Sequence, residues 1–275
     1  MSENRKHSSN RREKPMAPTS WDAVARWYDG WVGQEGSNHH REVAVPVLLE
    51  LLEPRPGESI LDIGAGQGVL APYITRAGVR YTGVDASPKM VDLARRRHGA
   101  TGGQSAPCFL TGDARDLHAV PGLRRGEFDA AVFLLSIQDM DRIDRVLEEA
   151  AWALKPGGRV VMVLTHPAFR VPRQSGWGWD EGRRLHYRRV DHYLTPLRVP
   201  MKTLAGDKKG RVATRSFHRP VGAYINALAA NGLLVDRMLE VPGHKSNAPP
   251  EHERAAEQAR REIPLFLGLR ARKVE

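Results

Sequence analysis

Short apolar runs alternate with amphipathic segments through the middle of the chain. The runs at 59–63, 80–84, 108–111, 128–135 and 158–164 have the length and composition of β-strands. The segments at 69–76, 88–97 and 142–154 have helical spacing, and Ser87 followed by Pro88 is a helix-start signal. Strand–helix repetition at this spacing predicts right-handed crossovers and a doubly wound α/β fold around a mostly parallel sheet.

The regions on either side of this repeat follow other patterns. Residues 1–18 are polar and basic without apolar periodicity, so we expect a disordered tail, followed by helices from Trp21 and at 41–52. Residues 166–219 are rich in Arg, Trp, Pro and Gly and show no clear period. A helix at 221–230, a strand at 233–239, a charged helix at 250–262 and a strand at 265–271 complete the chain. We therefore predict one domain over 19–275, with 166–219 as a cap inserted after the fifth strand.

The positive charge of the chain is concentrated in two segments. The formal net charge is +10. Residues 1–18 hold five Lys/Arg against two acids and residues 166–219 hold thirteen against four, which leaves the rest of the chain at −2. Such a basic segment suits an anionic substrate, nucleic acid or a membrane surface, and it is equally typical of a solvated arginine-rich face.

Cysteine content and hydropathy bear on the compartment. The single cysteine, Cys108, excludes a disulfide within the chain and a cysteine-based metal cluster. The sequence contains no run of eighteen apolar residues and begins without the apolar stretch of a secretory signal. We expect a cytoplasmic protein without a membrane segment. Cys108 itself opens the third strand, where we expect a small core residue.

A glycine-rich turn between the first strand and the next helix is the strongest chemical signal. It reads Asp62-Ile63-Gly64-Ala65-Gly66-Gln67-Gly68. Glycines allow the backbone to turn sharply and to approach a ligand closely. The spacing Gly-x-Gly-x-Gly differs from the dinucleotide pattern, and an acid before it suits the cationic amino-acid part of a ligand better than a diphosphate.

Further carboxylates follow the next two strands. Asp85 ends the second strand twenty-one residues after Gly64, where a carboxylate can accept hydrogen bonds from both ribose hydroxyls. Asp113, in Gly112-Asp113-Ala114, follows the third strand, where it or its neighbours can meet an adenine amine. Taken singly, Asp62 and Asp85 are explained as well by helix capping. The adjacent pair His39-His40 cannot point one way on a helix or strand, so no metal site is predicted.

Together these motifs resemble those of class I S-adenosylmethionine-dependent methyltransferases of the bacterial small-molecule type. The resemblance rests on residues 62–68, Asp85, residues 112–114, Phe128-Asp129 and Lys155-Pro156-Gly157-Gly158, and it covers about residues 20–164. It implies a seven-stranded sheet whose last two strands, 233–239 and 265–271, form an antiparallel hairpin. It also implies that S-adenosyl-L-methionine is the cofactor. The residues that the resemblance assigns to the cofactor are Tyr28, Asp62, Gly64, Ala65, Gly66, Gly68, Asp85, Ala86, Met90, Asp113, Ala114, Leu135 and Ser136.

The acceptor side of the predicted site is less defined. The cap begins at the carboxyl end of the fifth strand, where ligands bind in open α/β sheets. Its candidate catalytic residues are His166 and His218 as bases, with Gln138 and Tyr193 as orienting groups. We expect a small-molecule acceptor, with aromatic and anionic metabolites as the candidates. The alternatives are an RNA-modifying methyltransferase that grips phosphates with its basic segments, and a protein that binds the cofactor without transferring a methyl group.

Overall fold

The structure is a computed structural model that describes residues 21–33, 36–99, 106–202, 213–243 and 249–274. The basic tail at 1–18 lies outside the described residues. The helices are α1 (Ala25–Val32), α2 (Val45–Leu52), α3 (Ala71–Thr75), α4 (Pro88–His98), α5 (Ile143–Ala153), α6 (Val221–Ala229) and α7 (Glu253–Glu262). The strands are β1 (Ser59–Ile63), β2 (Arg80–Asp85), β3 (Cys108–Thr111), β4 (Phe128–Leu134), β5 (Leu154–Thr165), β6 (Ser175–Asp180), β7 (Leu185–Val190), β8 (Leu197–Lys202), β9 (Ala213–His218), β10 (Leu233–Pro242) and β11 (Pro264–Lys273).

Seven of these strands form one sheet in the order β10-β11-β5-β4-β1-β2-β3. The pairs β1–β2, β1–β4, β2–β3 and β4–β5 are parallel, whereas β11 is antiparallel to both β5 and β10. The predicted doubly wound α/β fold with a seven-stranded, mostly parallel sheet is therefore confirmed. The strand order reverses between β1 and β4, and ligands bind at the carboxyl ends of the strands at such a switch point.

Both faces of the sheet are covered, as the apolar composition of its central strands requires. All five residues of β1 are buried, and their side chains alternate between the two faces. Leu61 belongs to the core shared with α5 and α6, whereas Ile60 belongs to the core shared with α2, α3 and α4. This burial fixes the register of the central strands and hence the position of the loops that follow them.

The cap contains regular structure that the sequence did not predict. Strands β6 and β7 form one antiparallel hairpin, and β8 and β9 form another. The sequence shows no clear period at 166–219 because arginines, tryptophans and glycines occupy positions where a half-buried strand usually carries aliphatic residues. Alternation is clearest in β9, where Thr214, Ser216 and His218 are buried on one face.

Two smaller expectations also need correction. Cys108 is exposed and is not a core residue, because β3 is the edge strand of the sheet and Cys108 lies at its beginning. The helix predicted at 69–76 is reduced to Ala71–Thr75. Within the described part of the chain, no helix is both long enough and apolar enough to cross a lipid bilayer.

Candidate functional site

A cavity of about 330 Å³ lies at the carboxyl ends of the parallel strands, partly covered by the β8–β9 hairpin. This volume is within the usual range of small-molecule sites. Twelve of the thirteen residues predicted for the cofactor line it. They are Tyr28, Asp62, Gly64, Ala65, Gly66, Asp85, Ala86, Met90, Asp113, Ala114, Leu135 and Ser136.

The glycine loop forms the floor of this cavity. Gly64 has φ +77°, and a Cβ atom there would lie 2.7 Å from Ser136 Cβ and from Met140 Cε, so a side chain does not fit. Gly66 has φ +55° and faces open space on the side where a Cβ would be. The backbone N–H groups of Gly64 and Ala65 both donate to Val84 O, at 2.8 and 3.0 Å. The loop is thus fixed against β2 while Gly66 leaves room for a ligand.

Asp62 is a buried acid with unused hydrogen-bonding capacity. It is 2% exposed, and Tyr81 Oη donates to its Oδ2 at 2.7 Å. Its Oδ1 is buried and accepts no hydrogen bond from the described residues. Burial raises the pKa of Asp62 to about 7, against the lowering effect of the Tyr81 hydrogen bond. Asp62 does not cap the following helix, since Leu70 precedes the first turn of α3. The orphan oxygen at the cavity suits a cationic group.

Asp85 connects the glycine loop to the start of α4. Its Oδ2 accepts from Gly66 N at 2.9 Å and its Oδ1 accepts from Ser87 N at 2.8 Å. Ser87, and not Asp85, caps α4 by accepting from Met90 N at 3.3 Å. Burial raises the pKa of Asp85, while the two backbone hydrogen bonds oppose the rise. Each oxygen keeps lone-pair capacity for a ligand hydroxyl.

The remaining walls come from the ends of β3 and β4. Asp113 accepts hydrogen bonds from Arg115, and the distance from Arg115 Nη2 to Asp113 Oδ2 is 2.6 Å. Burial raises the pKa of Asp113, but the interactions with Arg115 outweigh burial, so the pKa is lowered overall. Leu135 has φ +53°, which is strained for a leucine. Its N–H donates to Val163 O at 2.8 Å, and Ser136 Oγ donates to Ile63 O at 2.7 Å. These bonds hold the turn after β4 against the neighbouring strands.

The outer end of the cavity is formed by other residues. Arg198, Arg215 and Phe217 of the β8–β9 hairpin line it, together with Asp139 from the 3₁₀ turn Ile137–Asp139. Tyr28 approaches from α1, and its ring packs edge-on against Trp21 at 5.3 Å between centroids. The cavity therefore joins a glycine-loop end and a hairpin end in one space.

Comparison with known proteins shows what this arrangement is similar to. A family model described as a methyltransferase domain matches residues 61–162. An S-adenosylmethionine dependent methyltransferase from Mesorhizobium loti has a crystal structure that is similar at TM-score 0.65 and 29% identity, covering 87% of this chain and 100% of that one. Residues 61–162 therefore form a methyltransferase domain, and the fold around them is similar to that of an S-adenosylmethionine dependent methyltransferase.

Two curated relatives match a shorter part of the chain. A demethylmenaquinone methyltransferase of Tropheryma whipplei is 35% identical over 120 residues, which is 43% of this chain and 46% of that protein. An uncharacterized 37.1 kDa protein in transposon TN4556 of Streptomyces fradiae is 38% identical over 120 residues, or 42% of this chain and 32% of that protein. The chain thus spans less than half of the length of these two relatives.

The methyltransferase domain has the features that its cofactor requires. S-adenosylmethionine carries a cationic ammonium group and a sulfonium. Asp62, whose Oδ1 accepts no hydrogen bond from the described residues, and Gly66, which has open space where a Cβ would be, both line the cavity. The residues present therefore fit S-adenosylmethionine, in agreement with the cofactor inferred from the sequence. Gly68 is the exception among the predicted residues: it does not line the cavity, and a Cβ there would lie 2.9 Å from His98 and Phe109. It is needed for packing.

The structure brings neither predicted histidine base to the cavity of the methyltransferase domain. His166 is 2% exposed; its Nε2 lies 2.8 Å from Glu240 Oε1, and its Nδ1 accepts from Ala168 N at 3.1 Å. His218 is 5% exposed, and its Nε2 donates to Tyr193 O at 2.7 Å. The His166 ring links the start of the cap to β10 of the main sheet, whereas the His218 ring joins two segments within the cap.

The two predicted orienting groups also lie outside the cavity. Gln138 Nε2 donates to Leu135 O at 2.7 Å, which closes the turn after β4. Tyr193 Oη accepts from Val221 N at 3.1 Å, at the first residue of α6. Neither side chain lines the cavity. The Gln138 bond is local to its turn, and the Tyr193 bond joins the segment before β8 to the start of α6.

Sequence reasoning missed an acid and a histidine that do line the cavity. Burial raises the pKa of Asp139 to about 7, and a hydrogen bond with Ser216 opposes the rise. Burial, with the neighbouring His39, lowers the pKa of His40 to about 4, so this ring is neutral at pH 7. Asp139 stands next to Gln138 in the sequence, and the 3₁₀ turn directs it to the cavity. No local signal distinguishes the two neighbours.

Proposed function

We propose that this chain transfers the methyl group of S-adenosylmethionine to a small-molecule acceptor. The observation that carries the proposal is the continuous cavity that the glycine loop and the β8–β9 hairpin both line. A cofactor at the loop end and an acceptor at the hairpin end would share that space. The Tropheryma whipplei relative, named a demethylmenaquinone methyltransferase, supports a small acceptor.

At the loop end, each residue has a defined role in this proposal. Asp62 would pair with the ammonium group of the cofactor. The open space beside Gly66 would admit the part of the cofactor that lies against the backbone of the glycine loop. Asp85 would accept hydrogen bonds from the ribose hydroxyls, and Ala86, Met90, Asp113 and Ala114 would enclose the adenine. Leu135 and Ser136 would cover the sulfonium side. When bound, the cofactor supplies a methyl group that is already activated for in-line displacement, so the protein mainly contributes alignment.

At the hairpin end, Asp139 is the base that the cavity offers. It replaces His166 and His218 in the proposal, because it lines the cavity and they do not. A carboxylate with a pKa of about 7 is half ionised near neutral pH and can accept a proton from an acceptor hydroxyl or N–H. Tyr28, partly buried beside Asp139, would help to exclude water from the acceptor.

The proposal is tested by calorimetric titration with S-adenosylhomocysteine. We expect binding by the parent protein and a loss of about 1.5–3 kcal/mol in Asp85→Ala, as for a lost charge-assisted hydrogen bond. Asp144→Asn removes a carboxylate that is exposed and paired with Arg142, and it should bind like the parent. A well-folded parent protein that does not bind S-adenosylhomocysteine would refute the proposal.

A further inference from the structure

Two arginines border the outer end of the cavity on one face of the β8–β9 hairpin. In the register of this hairpin Arg198 lies opposite Phe217, and Arg215 lies two residues before Phe217. Residues opposite each other in an antiparallel pair, and residues two apart on one strand, share a face. Arg198, Phe217 and Arg215 therefore form a single surface, and all three line the cavity.

Neither guanidinium group is neutralised by an acid among the described residues. Both arginines are exposed, and no ion pair joins either of them to a carboxylate in the described part of the chain. Arg115, which also lines the cavity, is different because it pairs with Asp113 at 2.6 Å. Asp141, an acid at the cavity wall just before α5, accepts the backbone N–H of Arg142 at 2.9 Å. The hairpin arginines are thus available to a ligand.

Phe217 is held in place between two cations. The guanidinium carbon of Arg198 lies 5.7 Å from the ring centroid, and that of Arg219 lies 5.3 Å from it. Arg219 Nη2 in turn donates to Met140 O at 2.8 Å, which anchors the arrangement to the segment after β4. The ring therefore offers a fixed apolar surface beside the two hairpin arginines.

The two ends of the cavity have opposite charge. Asp62 and Asp85 line its glycine-loop end without a basic partner among the described residues, whereas Arg198 and Arg215 line its hairpin end, beside Asp139. A cationic methyl donor fits the acidic end. By the same reasoning, the basic end favours a ligand with negative charge.

We infer that the methyl acceptor carries an anionic group, a carboxylate or a phosphate, which Arg198 and Arg215 bind while its apolar body lies on Phe217. This inference rests on the proposed function. Arginine binds both kinds of group through two parallel N–H···O hydrogen bonds, and such charge-assisted bonds are stronger than neutral ones. The arginine pair then selects the acceptor and places it at a fixed distance from the inner end.

The test compares anionic and neutral probes that share a benzene ring, on the protein loaded with S-adenosylhomocysteine. The probes are benzoate, phenyl phosphate and the neutral benzamide, with dissociation constants from NMR titration. We expect at least one anion to bind the parent tenfold or more tightly than benzamide. The anion that is preferred distinguishes a carboxylate from a phosphate. In Arg198→Gln/Arg215→Gln this preference should fall to less than threefold.

A matched double variant controls for the loss of two positive charges. Arg183→Gln/Arg184→Gln makes the same charge change in the β6–β7 turn, outside the cavity, and it should keep the preference of the parent. The inference is overturned if no anion is preferred, if Arg198→Gln/Arg215→Gln retains the preference, or if both double variants lose it equally. It is also overturned if single-stranded RNA binds at this pair and the small anions do not.

Binding of S-adenosylhomocysteine, measured first on all three proteins, separates this inference from the proposed function. If none of the folded proteins binds it, the proposed function fails. If all bind it and the anion preference is missing, the inference about the acceptor fails alone.

Discussion

Two acids of the cavity, Asp62 and Asp139, have pKa values near neutrality, and burial is the first cause in both cases. An acid whose pKa is raised in the folded state binds more protons there than in the unfolded chain. Both residues therefore link proton binding to stability, and Asp139 links it to the proposed reaction as well. For these single residues, pH is the variable that tests their roles.

Asp62→Asn should reduce the pH dependence of stability in the unliganded protein. The pKa of Asp62 is about 7 in the folded state and about 3.9 in the unfolded chain, so its contribution is present at low pH and is lost as pH rises from about 4 to 7. Between pH 5 and 8 the parent should lose about 2–3 kcal/mol more unfolding free energy than the variant. Urea unfolding at the two pH values measures this difference.

Asp144→Asn, at an exposed acid, serves as the control and should keep the slope of the parent. Equal slopes in the parent and in Asp62→Asn would show that Asp62 is already ionised in the unliganded protein, against its buried position.

Asp139→Asn should change the pH profile of methyl transfer. A base works in its deprotonated form, so the rate of the parent should rise with pH through about 7. The variant should lose this rise and react about 10²–10⁴-fold more slowly, as for a removed general base. Initial rates across pH 5.5–8.5, with any acceptor that turns over, measure both effects. A variant that keeps the rise near pH 7 would exclude Asp139 as the base.

Among the elements, the loop between β1 and α3 is the part of the fold that sequence spacing specifies most closely. Gly64, Gly66 and Gly68 all have φ between +55° and +82°, yet a Cβ would meet packed side chains at Gly64 and Gly68 and open space at Gly66. The three glycines share a positive φ but have different roles in the loop. Gly64 and Gly68 allow close packing, whereas Gly66 leaves space at the cavity.

Gly66→Ala and Gly157→Ala should separate backbone strain from cavity filling. Both glycines have positive φ, +55° and +71°, and at neither does any atom lie within 4 Å of the position that an added methyl group would take. Each alanine should lower the unfolding free energy by about 1–2 kcal/mol. Only Gly66→Ala places its methyl group in the cavity, so it alone should weaken S-adenosylhomocysteine binding, by about tenfold or more. Calorimetry on both variants decides, and equal affinities would show that the ligand does not approach Gly66.

In the molecule as a whole, the cavity and a stabilising ion pair lie at opposite ends of the sheet. The carboxyl ends of the parallel strands carry the cavity. The opposite end carries an ion pair between the buried Arg159 and the partly buried Glu58, in which Arg159 Nη1 and Nη2 donate to Glu58 at 2.9 and 2.8 Å. Arg159 Nε also donates to Leu52 O at 2.7 Å, which ties β5 to the end of α2. Changes at this end should act on stability and leave the cavity intact.

Arg159→Met should destabilise the protein by about 3–5 kcal/mol, because it leaves Glu58 and a backbone carbonyl without their buried partner. Arg142→Met breaks an exposed pair with Asp144 and should cost less than about 1 kcal/mol. Urea unfolding gives both values. Affinity for S-adenosylhomocysteine should stay within twofold of the parent in both variants under folding conditions, and a larger loss in Arg159→Met would show that the two ends are coupled.

Features that depend on residues close together in the chain were predictable from the sequence. Apolar runs located the strands of the main sheet, and β1 and β3 have the predicted bounds of 59–63 and 108–111. Glycine spacing and acids at strand ends located the inner part of the cavity, because the carboxyl ends of parallel strands meet at one edge. The resemblance to class I methyltransferases, which rests on these same motifs, was therefore sufficient for the fold and the cofactor.

The residues that complete the cavity are selected by tertiary contacts. Asp139 and Gln138 are adjacent in sequence, and the 3₁₀ turn after β4 is what directs the first to the cavity and the second to Leu135 O. The sequence positions of His166 and His218 were compatible with a role as base, but the two rings bond to Glu240 and to Tyr193 O, which are distant in the sequence. The hairpin arginines reach the cavity because two irregular-looking segments pair with each other. Contacts between distant segments have no local pattern, so the loop end was predictable and the acceptor end was not.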